Sequence, residues 1–232
     1  MCGRFAQFEP LSRIVQEFCI ADIEVEGRES YNIAPGDMVR SVVSRDGRRV
    51  LTAFKWGLVP HWAKDPSIGH SLINARAESV HRKPSFRNAF ALQRCLIIAD
   101  GFYEWKKEDG GKRPYFLKLA SGAPFAFAGL YDIWSGTRDR IERTCAIITT
   151  AANEVVLPIH DRMPVILSHD QERVWLDGTS TREALISLLA PSKLPMVSYS
   201  VSPKMNSPKI NSPECIMPHL AGENIREPLK IK

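Results

Sequence analysis

The sequence predicts an α+β fold: a single domain over residues 1–232, built on a curved, largely antiparallel sheet or partial barrel flanked by helices. Three observations carry this. Strand-like apolar runs outnumber helical ones, two pairs of runs are joined by tight Asp-Gly turns, and helical spacing is confined to short stretches.

Leu11, Ile14, Val15 and Phe18 recur at helical spacing, with Arg13, Gln16 and Glu17 on the other face, which predicts a helix over 11–18. A loop dense in turn residues follows at Tyr31-Asn32-Ile33-Ala34-Pro35-Gly36. Ser41 to Ala53 reads as a β-hairpin, because Val42-Val43 and Val50-Leu51 flank Asp46-Gly47, a favoured type I′ pair. A second hairpin runs from Tyr103-Glu104-Trp105 through Asp109-Gly110-Gly111 to Tyr115-Phe116-Leu117.

Further strands are expected at 124–131, 144–149, 164–167 and 196–201, and a helix at 85–93. Ser168 with Gln171, and Ser180 with Glu183, fit capping boxes for two late helices. Gly178 and Pro191 supply stop signals. The tail over 203–232 is rich in Ser, Pro and Asn and is expected to wrap the surface.

Composition narrows the class. With 232 residues, 44% hydrophobic and 25% charged, the chain is neither disordered, collagen-like nor a coiled coil, and it is long enough to bury a core without staples. The 31 basic against 26 acidic residues give a net charge of +5, compatible with a nucleic-acid partner without requiring one. The start Met1-Cys2-Gly3-Arg4-Phe5 lacks the apolar stretch of a signal peptide, and runs such as 95–99 and 124–130 are too short to span a bilayer. The expected location is cytoplasmic, without membrane attachment. The five cysteines are widely spaced with no C-x-x-C pair, so neither a zinc ribbon nor a thioredoxin motif is supported. Cys19, Cys95 and Cys145 sit in apolar surroundings and read as buried small residues. Neither the cysteines nor the histidines show metal-ligand spacing, and no cofactor is implied.

Cys2 is different. Removal of Met1 leaves a cysteine with a free α-amine, a 1,2-aminothiol expected to stand exposed at the new N-terminus. The amine, with a reference pKa of about 8, adds to an aldehyde to give a Schiff base, and the thiol, of about 8.5, then closes a five-membered thiazolidine. Alternatively the amine serves as base for its own thiol in hydrolysis. Met-Cys alone does not decide whether either happens.

Three motifs offer partners. In Asn74-Ala75-Arg76-Ala77-Glu78, the amide can orient an amine or carbonyl and Arg76 can hold a phosphate, or the segment is a strand end with a surface arginine. In Asp100-Gly101-Phe102-Tyr103-Glu104-Trp105, alternation puts Glu104 on the face of Phe102; apolar rings raise a carboxyl pKa toward acid–base use, unless that face meets water. In Pro158-Ile159-His160-Asp161-Arg162-Met163-Pro164, His160 can pass protons, Asp161 can orient it or Arg162, and Arg162 is a second phosphate ligand. Trp62 can stack on an unpaired base or pack in the core. Arg82, Lys83 and Arg87 form a basic stretch that tracks a phosphate backbone or a solvated face.

Together these blocks, in this order, resemble the SRAP family, named for SOS-response-associated peptidase. The opening residues 1–5, the blocks at 31–36, 72–78, 99–105 and 159–164, and Val201-Ser202 with Asn206 carry the resemblance, which covers nearly the whole chain. The resemblance implies shielding of abasic sites in single-stranded DNA by a thiazolidine crosslink. It makes Cys2 the nucleophile, has Asn74 position its amine, and gives proton transfer to Glu104 and His160. Arg4, Arg76 and Arg162 hold phosphates, and Asn32, Pro35, Trp62 and Thr149 line the DNA path. One departure is the single Trp62 where some relatives carry a pair. Association with the nucleoid follows DNA binding, and a monomer is expected. Two other readings compete: a cysteine peptidase or amidase acting in trans, and a non-covalent single-strand binding module with an inert Cys2.

Overall fold

The computed structural model describes residues 2–136 and 140–219. Its strands are β1 (Phe5–Gln7), β2 (Asp22–Ile23), β3 (Ser30–Ile33), β4 (Met38–Arg45), β5 (Arg48–Trp56), β6 (Asn74–Arg76) and β7 (Arg94–Ala99). They continue as β8 (Gly101–Glu108), β9 (Gly111–Leu119), β10 (Phe125–Ser135), β11 (Ile141–Ala151), β12 (Arg162–Pro164), β13 (Ile166–Leu167) and β14 (Met196–Ser200). Among the described residues four short α-helices accompany them: α1 (Leu11–Glu17), α2 (Arg87–Leu92), α3 (His169–Leu176) and α4 (Arg182–Ser187).

Two sheets form the domain. An antiparallel one runs β14-β9-β8-β1-β3, and a larger one runs β12-β11-β10-β7-β4-β5-β2. Parallel pairing of β5 with β11 closes β5, β4, β7, β10 and β11 into a five-stranded mixed barrel. The expected α+β class with a curved sheet is therefore what the chain adopts, and closure removes the edges that an open sheet would leave. Asp46 and Gly47 both take positive φ (51° and 75°), as a type I′ turn requires, and set the β4–β5 register.

The core has two faces. On one, Ile14, Phe90, Trp175 and Leu185 from the helices cover Val42, Leu96, Ile98 and Ile148 of the barrel. On the other, Cys2, Phe5 and Phe102 pack on Phe54, Trp56, Ile97, Phe127 and Ile147. Phe5 anchors the N-terminus there: it is fully buried, edge-on to Trp56 at 5.1 Å and to Phe127 at 5.6 Å. Burying such a ring contributes about 2–3 kcal/mol, and it fixes the residues just before it.

Several local expectations change. Cys19 is exposed: it lies in the turn that follows α1, just past the Phe18 cap, with a left-handed φ of 48°. Cys95 and Cys145 are buried as expected. Ser168 forms its capping box with Gln171 on α3. Ser180 does not cap α4: its hydroxyl donates to the Val174 carbonyl at 2.8 Å, and Thr181, one residue on, caps Ala184 N–H instead. Of the expected tail, residues 203–219 cross the antiparallel sheet and bury Met205 and Cys215 against Tyr103 and Phe116, while 220–232 lie outside the described residues. No helix among the described residues is long and apolar enough to cross a membrane, and no group of three His, Cys, Asp or Glu there could hold a metal.

Candidate active site

Strand pairing brings the N-terminus to the acid–base residues. β1 pairs with β8, Phe5 opposite Phe102, and Tyr103 N–H donates to the Arg4 carbonyl at 3.0 Å. Glu104 follows one residue later on β8. Alternation turns it to the face of Phe102 and away from Tyr103, so the carboxyl enters the core side and is 2% exposed.

Cys2 is wholly buried, which corrects the expectation of an exposed chain start. Phe5 and Phe102 draw the segment onto the barrel. Burial pushes the thiol up from its ordinary value, the Glu104 charge adds to the rise, and the thiol is held as S–H. Asn74 Nδ2 donates to the Cys2 carbonyl at 2.7 Å. Asn74 is placed by β6, which runs parallel to β11 with Asn74 opposite Ile147. Its Oδ1 is buried with no hydrogen-bond partner among the described residues, an acceptor aimed at the same corner.

Glu104 titrates near neutrality. Burial pushes its carboxyl up to about 7, and the nearby Asp161 charge pushes the same way. His160 Nε2 stands 4.0 Å from Glu104 Oε2. Arg162 N–H donates to His160 Nδ1 at 3.0 Å, so the neutral ring carries its proton on Nε2, facing Glu104. Burial lowers the His160 pKa and the Lys112 charge lowers it further, while Asp161, 3.1 Å from Nδ1, opposes the fall. A carboxyl near 7 beside a neutral imidazole can give and take protons without a large driving-force penalty.

The four residues given chemical roles therefore meet in one place. The seven assigned to DNA divide. Arg76 is exposed, as are Pro35 and Trp62. Arg162 forms a two-pronged ion pair with Glu78, at 2.5 and 3.1 Å, and also donates to the Thr149 carbonyl. Arg4 donates to Asn32 Oδ1 at 2.7 Å and to the carbonyls of Met205 and Asn206. Asn32 is buried and donates to the carbonyls of Met205, Ser207 and Ile210. Thr149 is also buried, opposite Arg76 in the β6–β11 register. Asn32 and Thr149 thus lie behind Arg4 and Arg162 in this structure and hold them, with no surface of their own lining a path.

Three participants carry no signal in the sequence that singles them out. Glu78 neutralises Arg162, and the only hint is its place in the same motif as Asn74 and Arg76. Lys112 acts on His160 from the β8–β9 hairpin, which its position after Gly110-Gly111 allows but does not require. The carbonyls of residues 205–210 bind Arg4 and Asn32, and backbone acceptors leave no trace in side-chain pattern.

Residues 1–208 match the family model described as SOS response associated peptidase (SRAP). Over 212 residues the chain is 45% identical to a Bacillus subtilis protein named abasic site processing protein YoaM, covering 89% of this chain and 93% of that one. It is 32% identical over 210 residues to abasic site processing protein YedK of Escherichia coli, covering 88% and 91%. A solved structure of a Bacteroides thetaiotaomicron protein superposes with a TM-score of 0.86 at 26% identity, covering 94% of this chain and all of that one.

Proposed function

The chain belongs to the SOS response associated peptidase (SRAP) family, and on that premise we propose that it processes abasic sites in DNA, trapping them covalently on Cys2. The substrate is the abasic sugar in single-stranded DNA, where no base pair has to open and the missing base leaves room for a protein terminus. The observation that carries the reading is the convergence of Cys2, Asn74, Glu104 and His160: an amide on the Cys2 backbone and a carboxyl near pKa 7 beside the same residue.

The chemistry balances with one water released. The abasic sugar is a closed hemiacetal. Protonation of its ring oxygen and removal of the proton from the C1′ hydroxyl open it to an aldehyde. Glu104 in its acid form gives the first proton, and His160 relays it. After Met1 is removed, the α-amine of Cys2 adds to C1′, and the resulting carbinolamine loses water, again with a proton from Glu104, to form the imine. Sulfur then attacks the imine carbon. The thiol proton leaves through the Glu104 carboxylate and ends on nitrogen, closing the thiazolidine. A thiol kept protonated by burial needs such a base. Asn74, by fixing the Cys2 carbonyl, aims the amine. Arg76, Arg162 and Arg4 hold phosphates.

The test is incubation with single-stranded DNA carrying one abasic site, resolved on a denaturing gel. Wild type gives a shifted band without borohydride, and Cys2→Ala gives none while retaining weak strand binding. A band in Cys2→Ala overturns the assignment. Turnover of peptides by wild type with no DNA adduct points to a peptidase instead. Strand binding with no adduct and an intact Met1 points to a non-covalent module.

A further inference from the structure

The β8–β9 hairpin that carries Glu104 at its base has a tip crowded with cations. Its register sets Lys106 opposite Arg113 and Lys107 opposite Lys112. Like charges directly opposite one another on a sheet destabilise it. Of the four, only Arg113 has an ion-pair partner among the described residues, Glu108 at 2.8 Å. Lys107 and Lys112 face each other one residue pair before the Asp109-Gly110 turn, with both side chains exposed and no ion-pair partner among the described residues. A cleft of about 230 Å³ at the tip is lined by Glu108, Lys112, Arg113 and Pro203, and Pro203 leads directly into exposed Lys204. An arrangement that costs the fold stability and gathers positive charge on one exposed edge fits a polyanion.

Its position says which one. Lys106 lies two residues beyond Glu104 on the same face of β8, about 7 Å further along the strand, while Lys107 and Lys112 follow on the opposite face, that of Trp105, whose Nε1 donates to Asn206 Oδ1 beside the Arg4 guanidinium. The cations therefore lead away from the site in one direction. We propose that this hairpin tip binds the phosphodiester backbone of the DNA strand on one side of the abasic nucleotide, with Lys107 and Lys112 as its main phosphate ligands. This rests on the function proposed above for the substrate but not for its readout, which is non-covalent binding.

The experiment uses Lys107→Glu, which leaves Glu104 and His160 untouched and turns a like-charge pair into an opposite-charge one. Binding of an undamaged single-stranded oligonucleotide is followed by anisotropy across a salt series. The slope of log affinity against log salt should become shallower by about 0.7 for each phosphate that the variant no longer neutralises. The melting temperature should rise by about 1–2 °C as the repulsion with Lys112 is relieved. On abasic substrates flanked on only the 5′ or only the 3′ side, adduct yield at limiting protein should fall on one and hold on the other. An unchanged salt slope, or equal losses on both flanks, overturns the proposal. If wild type makes no adduct at all, the chemistry assigned to Cys2 fails while the salt slope still decides the hairpin.

Discussion

His160 Nε2 and Glu104 Oε2 lie 4.0 Å apart, an imidazole that burial keeps neutral facing a carboxyl that burial lifts to about 7. The two groups come from segments distant in sequence: the β1–β8 pairing sets Glu104 beside Cys2, and the β11–β12 pairing brings the loop with His160 up to Glu104. Each step of the proposed trapping reaction that moves a proton runs through this pair.

Glu104→Gln therefore slows adduct formation far more than it weakens binding. General acid–base catalysis of this kind is worth about 10²–10⁴-fold. The rate of the wild-type reaction against pH should bend near 7, and that bend should vanish in the glutamine variant. Quenched time courses at pH 5.5 to 8.5 read both, with anisotropy for affinity. Equal losses in rate and affinity would make Glu104 a binding or folding residue.

Asn74→Ala removes the donor to the Cys2 carbonyl. Losing a hydrogen bond of this type costs about 1 kcal/mol, so a modest drop in melting temperature should accompany about a fivefold slower adduct rate. Asn74→Asp should be slower still, because a carboxylate cannot donate to a carbonyl and adds a charge beside Glu104.

Arg162 is engaged by Glu78 in a two-pronged ion pair. Glu78→Gln keeps the shape and removes the competing charge. Affinity for single-stranded DNA should rise by a few-fold in 50 mM salt, as titration by anisotropy will show. Arg162→Ala should bind more weakly, with a salt slope shallower by about 0.7.

Two buried carboxyls make stability fall as pH rises. Burial lifts Asp100 from 3.8 to about 6 and Glu104 from 4.5 to about 7. Both bind protons more readily folded than unfolded, so between pH 4 and 7 the native state holds more protons and loses stability on deprotonation. Each group contributes a change on the order of 3 kcal/mol. Denaturant melts should show the loss in wild type. Asp100→Asn should flatten the part between pH 4 and 6 while an amide oxygen still accepts from Phe8 and Glu9 N–H, and Glu104→Gln should flatten the part between 4.5 and 7.

Gly101 shows how closely the site's strand is packed. A methyl group there would fall on the Phe116 ring. Gly101→Ala should destabilise by about 1–3 kcal/mol and lower adduct yield through displacement of β8, read by melting temperature and gel in parallel.

What the sequence reveals is local. Asp46-Gly47 declares its turn because both residues tolerate positive φ, and the alternation around Phe102 and Glu104 gives the correct inward face. The barrel's closure is not local: β5 meets β11 across a long separation, and no pattern in either strand encodes the other. The burial of Cys2 escapes for the same reason, since it depends on Phe5 reaching Trp56 and Phe127. The resemblance sets Asn32 and Thr149 along the DNA path, yet backbone carbonyls and arginines from elsewhere in the chain bury them. Ser180 and Thr181 offer the same capping chemistry one residue apart, and the tertiary hydrogen bond to Val174 decides between them.

The most direct test of the central claim is intact-mass and peptide mass spectrometry of the product formed with single-stranded DNA carrying one abasic site. The account predicts a species equal to the chain without Met1 plus the oligonucleotide minus one water, with the modification on Cys2 and no free thiol there. A product that keeps Met1, needs borohydride to survive, or maps to an interior lysine contradicts it.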